Sequence, residues 1–275
     1  MQEDHTIELQ PGNIELLNNL ALTITADPSD NPELFCKQAK ECSENVPQYL
    51  KDVLVNFALK GNDKGFLLIK TEGFVYEHWL EKTPEGNNNR VGEKTLLARV
   101  QSILVNVIAE MISYQAECYG RLFQDVVPIK TMETQQTSMG SNIELEIHTE
   151  QAFSKLKPDI LSLACLRGDL DAQTNILPVK LILENLTENE IQSLYNPLWK
   201  IGVDLSFKLN NQFDGELRGP IPILQGSHID PILVFDQDLM IGIDNEANIL
   251  KNKIVNIYHE HKYQHNLKPG EIIFI

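Results

Sequence analysis

Ser138-Met139-Gly140-Ser141-Asn142-Ile143-Glu144-Leu145-Glu146-Ile147-His148-Thr149-Glu150 reads as a turn, then a strand, then a His-x-carboxylate pair where the strand ends. Leu145 and Ile147 alternate with Glu144 and Glu146, the period-2 pattern of a half-buried strand. Side chains two apart on a strand share a face, so the spacing predicts that His148 and Glu150 project to the same side. An imidazole and a carboxylate so placed can occupy adjacent positions on one metal ion. A second histidine from far along the chain would complete a 2-His-1-carboxylate set and leave three positions open for other ligands. A surface histidine beside a solvated glutamate has the same signature. With seven histidines and 39 acidic residues, about one such pair is expected by chance.

At 275 residues the chain can bury a substantial core as one large domain or two small ones. The net charge of −16 argues against a nucleic-acid partner, because no basic stripe exists to neutralise phosphates. It argues equally against docking on an anionic membrane, and mildly favours cationic small substrates. Cys36, Cys42, Cys118 and Cys165 are scattered without a CxxC, and Cys118 and Cys165 read as small core hydrophobes. Met1-Gln2-Glu3-Asp4 is acidic and no signal-peptide core or membrane-length apolar run follows, so a reducing cytoplasm is the expected setting.

Upstream, residues 1–62 read as mixed and mostly helical. Asp30 or Asn31 is placed to cap a helix opening at Pro32, and a second helix is expected from Val46 to Leu59. After the break at Gly61–Gly65, Phe66–Lys70 reads as a buried strand, and Thr83–Val91 as a polar loop. Leu97, Val100, Leu104, Val107, Ile108, Met111 and Ile112 recur three and four apart, predicting a packing helix that runs to near Gly120. Leu122–Pro128 looks extended. Downstream, Ile160–Leu166, Val179–Leu183, Val203–Phe207, Ile232–Phe235 and Ile272–Ile275 are strand candidates. Thr187 with Glu190 has capping-box spacing, and Ala247–Tyr258 is amphipathic. Helices first and short strands later predict an α+β fold, and a jelly roll (double-stranded β-helix) core under an N-terminal helical cover satisfies the pattern.

Several separate stretches together resemble one family. They are Gly120–Pro128, Gln136–Ser141, His148–Phe153, Pro158–Asp169, Val203–Phe207, Phe235–Met240 and Pro269–Ile275. In order and spacing they resemble the clavaminate-synthase-like branch of Fe(II)/2-oxoglutarate oxygenases, which includes bacterial hydroxylases of free arginine, asparagine and lysine. The resemblance covers roughly residues 95–275. It implies a single oxygenase domain over 1–275, with a mixed helical part at 1–92 and a jelly-roll core at 93–275.

The resemblance implies that His148 and Glu150 ligate Fe(II), and that Thr174 helps hold the carboxylate of the cosubstrate 2-oxoglutarate. It implies that Ser138, on the strand approaching the metal, touches substrate, and that Glu117 or Gln115 reaches the substrate backbone. Asp204, Asp236 and Asp238 become candidates to pair with an amino or guanidinium group, since a buried cation needs a carboxylate partner. The competing readings are a turn-forming serine, a loop threonine, a glutamate at a helix end, and capping or solvated aspartates. Implied, too, is hydroxylation of a free basic amino acid, lysine or arginine, with O2: oxidative decarboxylation of 2-oxoglutarate gives an Fe(IV)-oxo that abstracts hydrogen from a C–H bond. Rivals are a desaturase or cyclase of a natural-product intermediate, and a non-catalytic jelly-roll binding protein.

Relatives present a distal histidine and a 2-oxoglutarate-binding arginine beyond the strand that matches Glu271–Ile275, where this chain stops, so a truncated chain or a pseudoenzyme is expected. Of the other histidines, His5, His78, His228, His259, His261 and His265, the cluster at Tyr258–His265 precedes that strand and reads as a polar helix end. The expected partners are a small amino acid, with no nucleic acid and no membrane. A homo-oligomer is left open.

Overall fold

Among the described residues, four helices begin at a side-chain cap, Asn31, Thr95, Thr187 or Asp244, while those opening at Pro11, Gln48 and Val179 have none. The computed structural model describes residues 5–71, 74, 80–86, 89–204, 207 and 217–275, with the side chain of Cys118 excluded. In chain order it contains β1 (Thr6–Glu8), α1 (Pro11–Thr23), α2 (Pro32–Ser43), α3 (Gln48–Lys60), β2 (Leu67–Lys70), α4 (Leu96–Ile108), β3 (Ser162–Ala164) and β4 (Thr174–Ile176). Then follow α5 (Val179–Glu184), α6 (Glu188–Leu194), β5 (Trp199–Ile201), β6 (Arg218–Ile221), β7 (Leu224–Gly226), β8 (Pro231–Leu233), β9 (Met240–Gly242), α7 (Asn245–His261), β10 (Tyr263–His265) and β11 (Glu271–Phe274). The class is α+β. No helix among the described residues is long and apolar enough to cross a membrane.

The chain divides into two compact units: Met1–Ile143 with Ile160–Thr174 and His265–Ile275, and Glu144–Asp159 with Asn175–Gln264. In the first, a sheet of order β1-β2-β11-β3 carries β11 antiparallel to both β2 and β3. Ile272, Ile273 and Phe274 are wholly buried, as a central strand covered on both faces requires. Asn31 accepts the Leu34 amide at the head of α2, and Thr95 accepts the Ala98 amide at the head of α4. Leu97, Val100, Ile103 and Leu104 of α4 share one core with Phe35, Leu50, Leu54, Ile69 and Phe274.

Here α4 departs from expectation, because it stops at Ile108, well short of Gly120. The Asn106 carbonyl, one of the orphans of the last turn, accepts from Lys40 Nζ at 2.8 Å and Ser43 Oγ at 3.3 Å, both on α2. The helix is terminated from outside, and its apolar pattern continues into coil, where Ile112 is exposed. Leu122–Pro128 has no regular structure.

In the second unit β5 lies between β6 and β9, and β7 pairs with β8. Trp199 is fully buried and donates its ring N–H to the Ala247 carbonyl at 3.1 Å. A Cβ on Gly242 would stand 2.7 Å from that of Ala247, so glycine lets β9 close on α7. The Thr187–Glu190 capping box is present on α6. Val179–Leu183, expected as a strand, is helix α5: Pro178 precedes it, and an apolar run this short has no decisive period. Val203 and Asp204 belong to no strand, while Leu205 and Ser206 lie outside the described residues, as do Met1–Asp4, His78 and part of the Thr83–Val91 loop.

Candidate metal centre

The segment from Glu144 to Thr149 is extended, but it forms one isolated antiparallel bridge, His148 with Asp236, in place of the strand expected. Thr149 N–H donates to the Phe235 carbonyl at 2.7 Å and Gln237 N–H donates to the Ile147 carbonyl at 3.0 Å. The Thr149 hydroxyl accepts the Phe235 amide at 3.1 Å, which replaces a further rung of the ladder. Glu150 then opens a turn whose next residue, Gln151, has a φ of 51°. The period-2 argument therefore ends at Thr149, and the two candidate ligands sit at the junction of an extended segment and a turn. Their Cα atoms are at most about 7 Å apart by chain length alone.

His148 is exposed, and its ring is oriented by its own segment: Nδ1 lies 2.8 Å from the Glu146 carbonyl. A carbonyl only accepts, so Nδ1 carries a proton, and in the neutral ring Nε2 keeps its lone pair. That is the tautomer and the outer support that a metal-binding imidazole needs. The segment is anchored at its other end by Glu144, which accepts from Tyr258 Oη and Lys262 Nζ near the end of α7. Burial works against ionisation of Glu144, but these two hydrogen bonds and the lysine charge outweigh it and hold the carboxyl below its ordinary value.

Carboxylates gather around Asp236, the bridge partner of His148. Burial, reinforced by the charges of Asp238 and Asp236, pushes Glu146 up, with Lys251 pulling it back. Burial also raises Asp236, against the Leu239 amide and the neighbouring His148. Asp236 Oδ1 accepts the Leu239 amide at 2.7 Å, and Lys251 Nζ donates to the Gln237 and Met240 carbonyls at 3.0 and 2.8 Å, which fixes the turn between β8 and β9. Neither Glu146 nor Lys251 is among the site candidates that the sequence suggests. The alternation that puts Ile147 on one face puts Glu146 and His148 together on the other, so the signal for Glu146 was present.

An exposed imidazole with a defined bare nitrogen, followed by a carboxylate two residues on, fits two of the protein positions of a facial Fe(II) centre. Among the described residues no group of three or more histidine, cysteine, aspartate or glutamate side chains is placed to hold a metal ion. Asp204 is half-buried in irregular chain, and Asp238 is exposed. His259 and His261 do occupy the last turn of α7, the polar helix end expected of them.

The remaining candidates belong to the first unit. Ser138 is an exposed turn residue and not part of a strand; the Gly140 amide donates to the Thr137 carbonyl, and a Cβ at Gly140 would meet the Gln135 carbonyl at 2.5 Å. Thr174 opens β4 and is half-buried. Glu117 is half-buried in the turn closed by Gly120 N–H on its carbonyl at 2.8 Å, far beyond the end of α4.

No family model matches the chain. Individual proteins do. L-lysine 3-hydroxylase from Catenulispora acidiphila is 40% identical over 94% of this chain and 72% of its own length. Clavaminate synthase 2 from Streptomyces clavuligerus is 25% identical over 98% of this chain and 82% of its own length. A crystal structure of asparagine oxygenase in complex with Fe(II), (2S,3S)-3-hydroxyasparagine and succinate superposes with a TM-score of 0.88 at 25% identity, covering 98% of this chain and 84% of that one.

Proposed function

Since the chain belongs to the clavaminate-synthase-like family of Fe(II)/2-oxoglutarate-dependent amino acid hydroxylases, we propose that it hydroxylates a free basic amino acid, with L-lysine the first candidate. The 40% identity to an L-lysine 3-hydroxylase over 94% of the chain carries this reading. The mutually interacting carboxylates of Glu146, Asp236 and Asp238, of which Asp236 is paired with His148, support it, because they place negative potential where a cationic side chain would be drawn. In this proposal His148 and Glu150 hold the iron, and Thr174 contributes to holding the carboxylate of 2-oxoglutarate. Asp204, Asp236 and Asp238 are assigned to the substrate's cationic end, and Ser138 and Glu117 to its polar backbone groups. The proposal keeps the jelly-roll core, one oxygenase domain over 1–275, a cytoplasmic setting and an unassigned oligomeric state.

The iron, once bound with 2-oxoglutarate and O2, supplies the oxidation of an unactivated C–H bond. The protein's own part is positional. The Glu146 carbonyl fixes the His148 tautomer, the Phe235–Gln237 backbone fixes its height, and the acidic flank selects charge.

An anaerobic absorption titration of the 275-residue chain with Fe(II) and 2-oxoglutarate tests the iron half of this reading. A weak visible charge-transfer band that is absent in His148→Ala supports it. Aerobic incubation with L-lysine, L-arginine and L-asparagine, read by mass, tests the substrate half. Gain of one oxygen on lysine is expected; loss of two hydrogens identifies a desaturase, and no product from any of the three, with no band, overturns the hydroxylase reading for this chain and leaves a truncated chain or a non-catalytic binding protein.

A further inference from the structure

The loop that leads into Thr174 is clipped by a side chain from outside it. Asn266, directly after β10, donates from Nδ2 to the carbonyls of Asp169 and Ala172, each at 2.6 Å, and lies 3.4 Å from that of Leu170. Backbone carbonyls only accept, so the amide must present its NH2 end to them. The loop's own bonds are short-range: Ala172 N–H to the Asp169 carbonyl at 3.2 Å, and Asp171 N–H to Asp169 Oδ1 at 2.9 Å. Residues 169–173 are exposed throughout, Leu170 to 90%, so burial does not fix their path.

Upstream of the loop the backbone is already tied down. Cys165 N–H donates to the Glu271 carbonyl, Gly270 N–H donates to the Cys165 carbonyl, both at 2.9 Å, and a Cβ on Gly168 would meet the Leu267 carbonyl at 2.7 Å. Asn266 extends this contact to Ala172, two residues before Thr174 opens β4.

We infer that Asn266 is a positioning residue for cosubstrate binding: by clipping residues 169–172 it sets the backbone from which Thr174 presents its hydroxyl to the 2-oxoglutarate carboxylate. This rests on the role proposed above for Thr174. Its physical basis is that apparent affinity falls in proportion to the fraction of molecules whose site is already formed. Without the clip the exposed loop samples other paths, and 2-oxoglutarate must select the competent one.

The test compares Asn266→Asp, which keeps the shape and loses both donors, with Asn266→Gln, which keeps an amide, and with Thr174→Val. Hydrogen exchange at the Asp171 and Ala172 amides is measured without iron, and 2-oxoglutarate affinity by anaerobic titration with iron. Asn266→Asp is expected to speed exchange at these amides and to weaken 2-oxoglutarate about tenfold. Its KM for 2-oxoglutarate should rise by the same factor, while the KM for the amino acid and the Tm stay at their parent values; Asn266→Gln should recover part of the loss. An unchanged affinity in Asn266→Asp, when Thr174→Val does weaken binding, overturns the positioning role and leaves the Thr174 reading standing. A parallel loss of Tm and of amino-acid KM overturns it as well, since a merely structural residue would behave so. Failure of Thr174→Val to alter 2-oxoglutarate binding overturns the Thr174 reading, and the role of Asn266 with it.

Discussion

Helix α4 and the segment from Glu144 to Glu150 are held by different forces. The helix buries Leu97, Val100, Ile103 and Leu104 completely, and each such side chain contributes about 1.5–3 kcal/mol through burial alone. The segment leaves His148 exposed and is located by hydrogen bonds, among them the bridge to Asp236, the backbone and Thr149 hydroxyl bonds around it, and the Glu144 carboxylate on Tyr258 and Lys262. Net hydrogen bonds are worth about 1 kcal/mol each and are directional, whereas burial is stronger and nearly indifferent to angle. Scaffold and candidate site are therefore separable: one can lose function without stability, or stability without a change in site chemistry.

The sharpest separation is expected at His148. His148→Ala should abolish Fe(II) uptake in the anaerobic titration while changing the free energy of unfolding by no more than about 0.5 kcal/mol, because an exposed side chain is removed. A large loss of stability would mean that the ring is structural and would collapse the contrast. Leu104→Ala is the converse, expected to cost about 2–5 kcal/mol in urea unfolding, with any protein that remains folded keeping the iron affinity of the parent.

Glu144 falls between these extremes. Glu144→Gln keeps the shape and removes the charge held by Lys262, costing about 1 kcal/mol after allowance for solvent screening of a partly exposed pair. Because the segment's anchor then loosens, iron affinity should fall about tenfold, as for other supports of a ligand. The folded carboxyl lies below its ordinary value of 4.5, so its stabilisation is complete above that pH and disappears as the pH falls through the folded value. Parent and variant should converge in acid.

The smallest effect is expected at Glu190, which caps α6 and pairs with Lys253 at 2.8 Å. The Lys253 hydrogen bond, followed by the Thr187 amide, takes its carboxyl down to about 2. Glu190→Gln should cost less than about 1 kcal/mol at neutral pH, since both partners are substantially exposed. The sign follows from the lowered value: the contribution is full above 4.5 and is lost between 4.5 and 2. Iron binding should not respond, and if it did, the segment at His148 would be coupled to the packing of α6.

What could be read in advance followed the range of the interaction. Asn31, Thr187 and Glu190 act on amides within three residues, so their capping roles were visible as spacing. The apolar stripe of α4 was visible because 3.6-residue periodicity is a property of the chain itself. Its end was not, because the Asn106 carbonyl is satisfied by Lys40 and Ser43 of α2, more than sixty residues away in the chain. Val179–Leu183 carried too few residues for its period to distinguish strand from helix.

The candidate site divides along the same line. Residue identity and order alone carry the His148–Glu150 pair, the family to which the chain belongs and the acidic character of the neighbourhood. Tertiary structure alone decided which nitrogen of His148 is bare, that Glu146 and Asp236 share its surroundings, and that Glu150 turns away from the extended segment. Each of these depends on a hydrogen bond or charge contact whose partners meet only when the chain folds, and whose energy is too small and too directional to leave a periodic trace in the residues that make it.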